Sequence, residues 1–317
     1  MEKIEQFIKL WRSGCQQFEA HTSGSTGTPK SIMLNRADMI QSARATNQFF
    51  GITKNSTLGL PLSVNYIAGK MMVVRTEIAG CKLLPLPISN DVIIRQHVDL
   101  LSVVPSQIPS ILSSSQYIDN LLIGGAPINS QSEHALIDAG IKAYLGYGMT
   151  ETCSHVALRR IGNDGRFTAM PGITFATDSR DCLIIQSAYF SWKSLVTNDV
   201  VEILSDTEFK WLGRADNVIN SGGIKIHPES LEQTYRQLIP ELPDFYLVGI
   251  TSDKWGSELA MVTQPIHQHL LEELKAKVTD HKYLPKKIIT VHELATTANG
   301  KVRRIVPSDY ISTVEFD

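Results

Sequence analysis

Residues 120–151 read NLLIGGAPINSQSEHALIDAGIKAYLGYGMTE, and the turn-forming residues within them decide the fold. Asn120 to Ile123 is a short apolar run that stops at Gly124-Gly125-Ala126-Pro127, the pattern of a buried strand running into a loop. Ser130 with Glu133 three residues on is a capping-box pattern that opens a helix, and Gly140 closes it. Ile141 to Leu145 is then a second strand, ending in Gly146-Tyr147-Gly148. Strand, helix and strand in this order make a βαβ unit, with parallel strands and a right-handed crossover. Both glycine loops emerge at the carboxyl ends of neighbouring strands, where open α/β sheets take their ligands.

The same grammar extends outward. Leu100 to Val104 reads as a short buried strand, stopped by Pro105 and followed by a helix to about Leu112. Asn35 caps a helix with Asp38 three residues on, and Met39, Ala43 and Phe50 lie near one face. Ile4, Ile8 and Trp11 share a face of an N-terminal helix. Downstream, a boundary falls near Gly213 to Asp216; Gly222-Gly223 then makes a turn, and Pro228 opens a helix. The expected fold class is α/β: a large α/β domain with parallel βαβ units over 1–213 and a small C-terminal α+β domain over 214–317.

Composition excludes several classes. The 317 residues carry 30 Lys plus Arg against 32 Asp plus Glu, a net of −2, so no basic excess calls for nucleic acid. Apolar runs such as Met71-Met72-Val73-Val74 are far too short for a membrane span, and the start MEKIEQFIKLWRSG has no signal-peptide core. Cys15, Cys81, Cys153 and Cys182 have no paired short spacing, which argues against a zinc knuckle or a disulfide framework. The expectation is a soluble, cytoplasmic protein with small-molecule partners, neither nucleic acid nor a membrane.

The most informative stretch for chemistry is Thr22-Ser23-Gly24-Ser25-Thr26-Gly27-Thr28-Pro29-Lys30, with five hydroxyls, two glycines and a terminal lysine in nine residues. Such a loop can turn backbone N–H groups, hydroxyls and an ammonium toward one polyanion. A solvated Ser/Gly linker is the bland alternative, although linkers seldom end in Pro-Lys. The Walker pattern fails, because Pro29 stands where the second glycine should be and offers no N–H, and because Ser31 to Leu34 reads as a strand.

Thr22 to Lys30 resembles the phosphate loop of the acyl-adenylate-forming enzymes, which include acyl- and aryl-CoA ligases, luciferases and peptide-synthetase adenylation domains. The remaining signatures of that family follow in its order. Gly124-Gly125-Ala126 resembles the adenine-side loop, and Gly146-Tyr147-Gly148-Met149-Thr150-Glu151 the Y-G-x-T-E element. Thr197-Asn198-Asp199 is similar to T-G-D, with Asn198 in place of glycine. Gly213-Arg214-Ala215-Asp216 matches G-R-x-D, and Asn299-Gly300-Lys301-Val302 the terminal N-G-K-[IV]. The resemblance implies ATP binding by Thr22, Ser23, Gly24, Ser25, Thr26, Gly27 and Lys30, with Gly124, Gly125, Ala126, Tyr147 and Gly148 about the adenine. It further implies Thr150 on phosphate, Glu151 as a ligand to Mg²⁺, Asp199 and Arg214 on the ribose, and Asp216 as a hinge. Gly222 and Gly223 would line the path of coenzyme A, and Lys301 would reach the acyl carboxylate and α-phosphate. Lys301, Lys30, Glu151 and Thr150 are thus the catalytic set. In the family's P-x-E-hydrophobic-E element Ser230 replaces the first Glu, which puts one salt bridge in doubt.

Only twenty-one residues precede the phosphate loop, so the resemblance is to an N-terminally shortened adenylate-forming fold, with a homodimer as one way to cover the exposed surface. Phe7 to Trp11 leading into His21-Thr22-Ser23, Leu60-Pro61-Leu62 through Gly69 to Arg75, and Gly148-Met149-Thr150-Glu151-Thr152 resemble the short o-succinylbenzoate–CoA ligases of menaquinone biosynthesis. This implies ATP, Mg²⁺ and coenzyme A acting on a carboxylic acid. Arg75, by its position after Leu60-Pro61-Leu62, is the candidate for the far carboxylate, with His155 and Arg159 as weaker ones and Asn65 and Tyr66 at the pocket gate. Another acid, a carrier-loading enzyme and a nucleotide-binding regulatory protein stay open at this stage.

Overall fold

In the computed structural model, which describes residues 2–21, 31–252, 256–295 and 303–316, Asn120–Ile123 and Lys142–Met149 are parallel neighbours with Asn120 opposite Lys142. The helix Ser130–Asp138 joins them, so the βαβ unit is present. Its helix is capped one residue earlier than the capping-box pattern suggests. The Asn129 side chain accepts from the Ser132 N–H at 2.8 Å, and Glu133 pairs with Arg159 on the strand Ser154–Arg160. The second strand also runs further than expected. Gly146-Tyr147-Gly148 is strand, not loop, because Ser154–Arg160 pairs back along it in antiparallel register.

Contacts divide the chain into two compact units, one of residues 1–176, 184–195 and 203–210, the other of 177–183, 196–202 and 211–317. The second unit therefore reaches back to Trp211 and takes in two earlier segments, where the sequence suggested a single cut at 213/214.

In the first unit, α1 (Glu2–Arg12) is followed by the antiparallel pair β1 (Gln17–His21) and β2 (Ser31–Asn35). Then come α2 (Arg36–Phe49), β3 (Thr57–Leu60), α3 (Ile67–Ala79), β4 (Lys82–Pro85), β5 (Leu100–Val103) and the short α4 (Ile108–Ile111). Next are β6 (Asn120–Ile123), α5 (Ser130–Asp138), β7 (Lys142–Met149), β8 (Ser154–Arg160) and β9 (Arg166–Ala169). Within their sheet these strands lie in the order β4-β3-β5-β6-β7-β8-β9, and residues 208–210 pair next, beside β9. The first five in that order are parallel and β8 and β9 antiparallel. The central strands β5 and β6 are almost wholly apolar and buried, as strands covered on both faces are. Leu58, Leu101, Leu121 and Ile123 are fully buried, and each contributes about 1.5–3 kcal/mol by leaving water. Helix α3 packs against α1, α2 and β3, and Gly69 to Thr76 are buried without a break. No helix among the described residues is long and apolar enough to cross a membrane.

The second unit holds a four-stranded sheet of Phe245–Ser252, Gly256–Thr263, Lys287–Thr290 and Ser312–Glu315, in that order. Its core joins Tyr235, Leu247, Met261, Leu274 and Ile288, which makes it α+β. Pro228 is the first residue of the helix Pro228–Leu238, where its missing N–H costs nothing. The salt bridge put in doubt by Ser230 is made by a different residue. Glu229 lies 3.2 Å from Arg304 Nε, and Glu232, one turn further along the helix, grips the same guanidinium with both oxygens. Arg304→Ala would strand both nearly buried carboxylates and cost about 3–5 kcal/mol, read as a lower midpoint in chemical denaturation.

Candidate active site

The loops that follow β3, β5 and β6, and the end of β7, lie at the carboxyl edge of the parallel strands, where such sheets bind ligands. After β6, Gly124 N–H donates to the Val103 carbonyl at 3.0 Å. Gly125 sits at φ +91°, and a Cβ at Gly124 would touch nothing within 4 Å. Here absent side chains leave open space, as a loop against a flat base requires. Gly148 differs: a Cβ there would stand 2.2 Å from the Ser154 carbonyl oxygen, so this glycine serves the approach of β8. Tyr147 is half-buried, with its ring edge-to-face against Phe209 (5.1 Å) and Phe167 (5.8 Å).

The turn from β7 to β8 carries Thr150 and Glu151. Its geometry is held by Thr152, to which the sequence alone assigned no role. The fully buried Thr152 hydroxyl accepts from Met149 N–H at 2.9 Å and lies 2.6 Å from the Ser154 carbonyl. Its signature is local, a hydroxyl spanning its own turn. Cys153 takes a left-handed φ of +61°, and burial pushes its thiol up to about 12, which leaves it inert. Thr150 is buried, while Glu151 is exposed at the turn. Among the described residues no ion pair engages Glu151, so an exposed carboxylate on a fixed turn is available to a hard cation such as Mg²⁺.

Just past Thr152, the structure brings Arg75 together with Ser154 and His155. Arg75 is 1% exposed; it donates to Ser154 Oγ at 2.8 Å and touches Met72 Sδ at 3.4 Å. Among the described residues no carboxylate pairs with it, and its Nε has no partner. Nearby on α2, Asn47 donates to the Arg75 carbonyl, while Asn47 Oδ1 and Ser42 Oγ are buried and unpaired. Burial alone brings the Arg75 pKa down to about 9. His155 contacts Thr46 Oγ1 (3.2 Å) and Ser154 Oγ (3.3 Å). The two gate candidates are not part of this cluster: Asn65 and Tyr66 are exposed on the loop before α3. Arg159 is spoken for by its buried ion pair with Glu133.

In the second unit, Thr197-Asn198-Asp199 and Gly213-Arg214-Ala215-Asp216 converge. Arg214 reaches Asp199 at 3.4 Å and Asp216 at 3.0 Å; Trp211 Nε1 donates to Asp199 at 3.3 Å, and Thr197 Oγ1 accepts from Asp199 N–H. Asn198, in its unusual place, accepts from Arg180 and donates to Asp216. Gly222 and Gly223 take φ +55° and +83° between the paired strands Ile219–Ser221 and Ile224–Ile226, a two-residue hairpin turn of the kind that needs positive φ twice. Thr22, Ser23, Gly24, Ser25, Thr26, Gly27 and Lys30, and Lys301, lie outside the described residues.

The sequence model of the AMP-binding enzyme family matches residues 20–180. A solved acyl-CoA synthetase (AMP-forming)/AMP-acid ligase II-like protein from Dyadobacter fermentans is 32% identical, with 95% of this chain and 91% of that one covered at a TM-score of 0.64. The o-succinylbenzoate CoA synthetase of Bacillus subtilis, solved with its acyl-adenylate intermediate, is 20% identical over 90% of this chain and 67% of its own, at a TM-score of 0.75. That likeness carries the adenylate-forming fold. Curated 2-succinylbenzoate–CoA ligases of Bacillus cereus and Enterococcus faecalis are 24% and 25% identical, with 90% of this chain covered and 68% and 67% of theirs.

Burial, and then the Arg75 charge, hold the His155 pKa well below its ordinary value. In the unfolded chain it takes a proton near about 6.5. The folded state's advantage is therefore complete above that pH and is lost as the pH falls from there toward the folded pKa. Thermal melts across about pH 7 to 5 should show wild type losing Tm faster than His155→Gln; parallel curves would remove the buried-histidine term.

Proposed function

This chain belongs to the AMP-binding enzyme family and is an ATP-dependent, AMP-forming acid–CoA ligase; we propose that its acid carries two carboxylates and is o-succinylbenzoate. The observation that carries this is Arg75, a buried guanidinium with a hydroxyl and a thioether for company and no carboxylate among the described residues. A second carboxylate on the substrate would supply the missing charge in a bidentate, charge-assisted contact. Ser42 Oγ, Asn47 Oδ1 and Arg75 Nε, buried without partners, mark polar groups that a ligand or bridging water would satisfy.

In the first step one oxygen of the reacting carboxylate attacks the α-phosphorus of ATP, and pyrophosphate leaves with the bridging oxygen. In the second the thiol of coenzyme A adds to the acyl carbon, loses its proton, and AMP leaves. The acid alone is a poor acyl donor because its leaving group is oxide; the adenylate replaces that with a stable phosphate anion. The demand on the protein is to place positive charge and donors where negative charge develops. We assign that to Lys30, Thr150 and Lys301, with Glu151 to hold Mg²⁺, which supplies charge neutralisation on the phosphates when bound. Gly124 to Ala126 and Tyr147 serve adenine, and Gly148 supports them by letting β8 close against the strand that carries Tyr147. Asp199, oriented by Thr197, Trp211 and Arg214, accepts from the ribose. Asp216 acts as hinge, and Gly222 with Gly223 faces the coenzyme A arm.

Pyrophosphate release across a panel of o-succinylbenzoate, benzoates and fatty acids tests the substrate. Turnover with o-succinylbenzoate alone supports it, another acid replaces it, and ATP binding without turnover favours a regulatory relative. In Arg75→Gln the KM for o-succinylbenzoate should rise about 10–100-fold with the KM for ATP unmoved, the loss of one charge-assisted contact. Lys301→Ala should abolish adenylate formation by orders of magnitude yet spare thioester formation from supplied acyl-AMP; equal loss in both half-reactions would reject its role.

A further inference from the structure

Lys70 is buried, 9% exposed, one turn into α3, and among the described residues no carboxylate lies within ion-pair distance of it. Its ammonium donates instead to two consecutive carbonyls, Val64 at 2.6 Å and Asn65 at 3.2 Å. The same short loop is held at two further points. Tyr66 N–H donates to the Ser63 carbonyl at 3.2 Å, and Lys70 N–H to the Tyr66 carbonyl at 3.1 Å. Gly69 completes the fit, because a Cβ there would stand 2.3 Å from the Ser63 carbonyl oxygen. Beneath the ammonium lies the ring of Phe7 from α1, 5.7 Å from Nζ and itself buried, a distance at which a cation and an aromatic face attract.

A lysine in such surroundings is costly; burial lowers its pKa, with Glu19 acting in the opposite direction. A methionine would fill the same space without desolvating a charge. What the ammonium adds is a grip on the loop. That loop follows β3 at the carboxyl edge of the parallel strands, where the ligand belongs. It is joined to Arg75 by α3, a single rigid element.

We propose that Lys70 is a positioning residue for acid binding: with Gly69 it fixes the Ser63–Tyr66 loop, and through Phe7 it makes α1 part of that loop's support. The proposal rests on the acid–CoA ligase reading and names a determinant of acid selection within it. Lys70 touches no reacting atom. It acts through the backbone at Val64 and Asn65, so its loss should affect the acid and leave the nucleotide alone.

The test uses Lys70→Met, which keeps the stem and drops the charge, and Lys70→Arg, which keeps the donors. Hydrogen exchange at the amides of Asn65 and Tyr66 should speed up about tenfold or more in Lys70→Met, with Met71 to Thr76 as protected as in wild type. In steady-state assays the KM for the acid should rise about 10–100-fold while the KM for ATP stays within about twofold, and Lys70→Arg should recover most of the loss. Unchanged exchange, an unmoved KM for the acid, or acid and ATP constants rising together would each overturn the proposal. Absence of turnover by wild type with every acid would instead overturn the ligase reading, and the acid-binding role with it. Wild-type turnover with an unmoved acid KM in Lys70→Met rejects the role of Lys70 alone.

Discussion

The close approach of β8 to β7 at Gly148 is the constraint from which the first unit's site follows. A side chain there would collide with the Ser154 backbone, and the register shifts between Tyr147 and Gly148 as the strands adjust. With the strands this near, the chain must reverse in the few residues from Thr150 to Cys153. That forces Cys153 into left-handed geometry and leaves the buried Thr152 hydroxyl to satisfy the turn. Two consequences reach the chemistry. Glu151 is held out in solvent, and Ser154 and His155 are driven inward against Arg75.

How the molecule treats its buried cations separates scaffold from site. Arg159 is matched by Glu133 and Arg304 by Glu229 and Glu232. Those pairs lock strand to helix in one unit and the C-terminal segment to Pro228–Leu238 in the other. Arg75 and Lys70 are not treated this way. One is met by a hydroxyl and a sulfur, the other by two main-chain carbonyls. A buried charge without a counter-charge is poor for stability. Both stand on α3, the helix that links the loop after β3 to the interior. The asymmetry supports the acid-binding role proposed for α3, while the paired arginines serve the fold.

Much of the architecture was legible because its determinants are contiguous. Pro105 and Gly140 punctuate the chain where a missing N–H or a positive φ demands it, and Pro228 opens its helix. The apolar runs of β5 and β6 are the length of buried strands. The reading erred where two local solutions competed. Asn129 and Ser130 can both cap a helix; Asn129 does so, and Glu133 is left to pair with Arg159, across 26 positions of sequence. Gly146 and Gly148 resemble loop glycines but belong to a strand, a difference set by β8 and invisible from β7 alone. Likewise Glu229 takes the bridge that Ser230 cannot, from a neighbouring position on the same helix.

The sequence by itself determined the class of fold, the order of the nucleotide-handling motifs and hence the family, since these depend on residue type and on spacing within short segments. Tertiary structure alone decided which buried charges meet a counter-charge and which do not. Arg75 meets Ser154 across 79 positions and Arg304 meets Glu232 across 72. Coulomb attraction and desolvation depend on distance and surroundings in space, and neither is written in the neighbours of a residue along the chain.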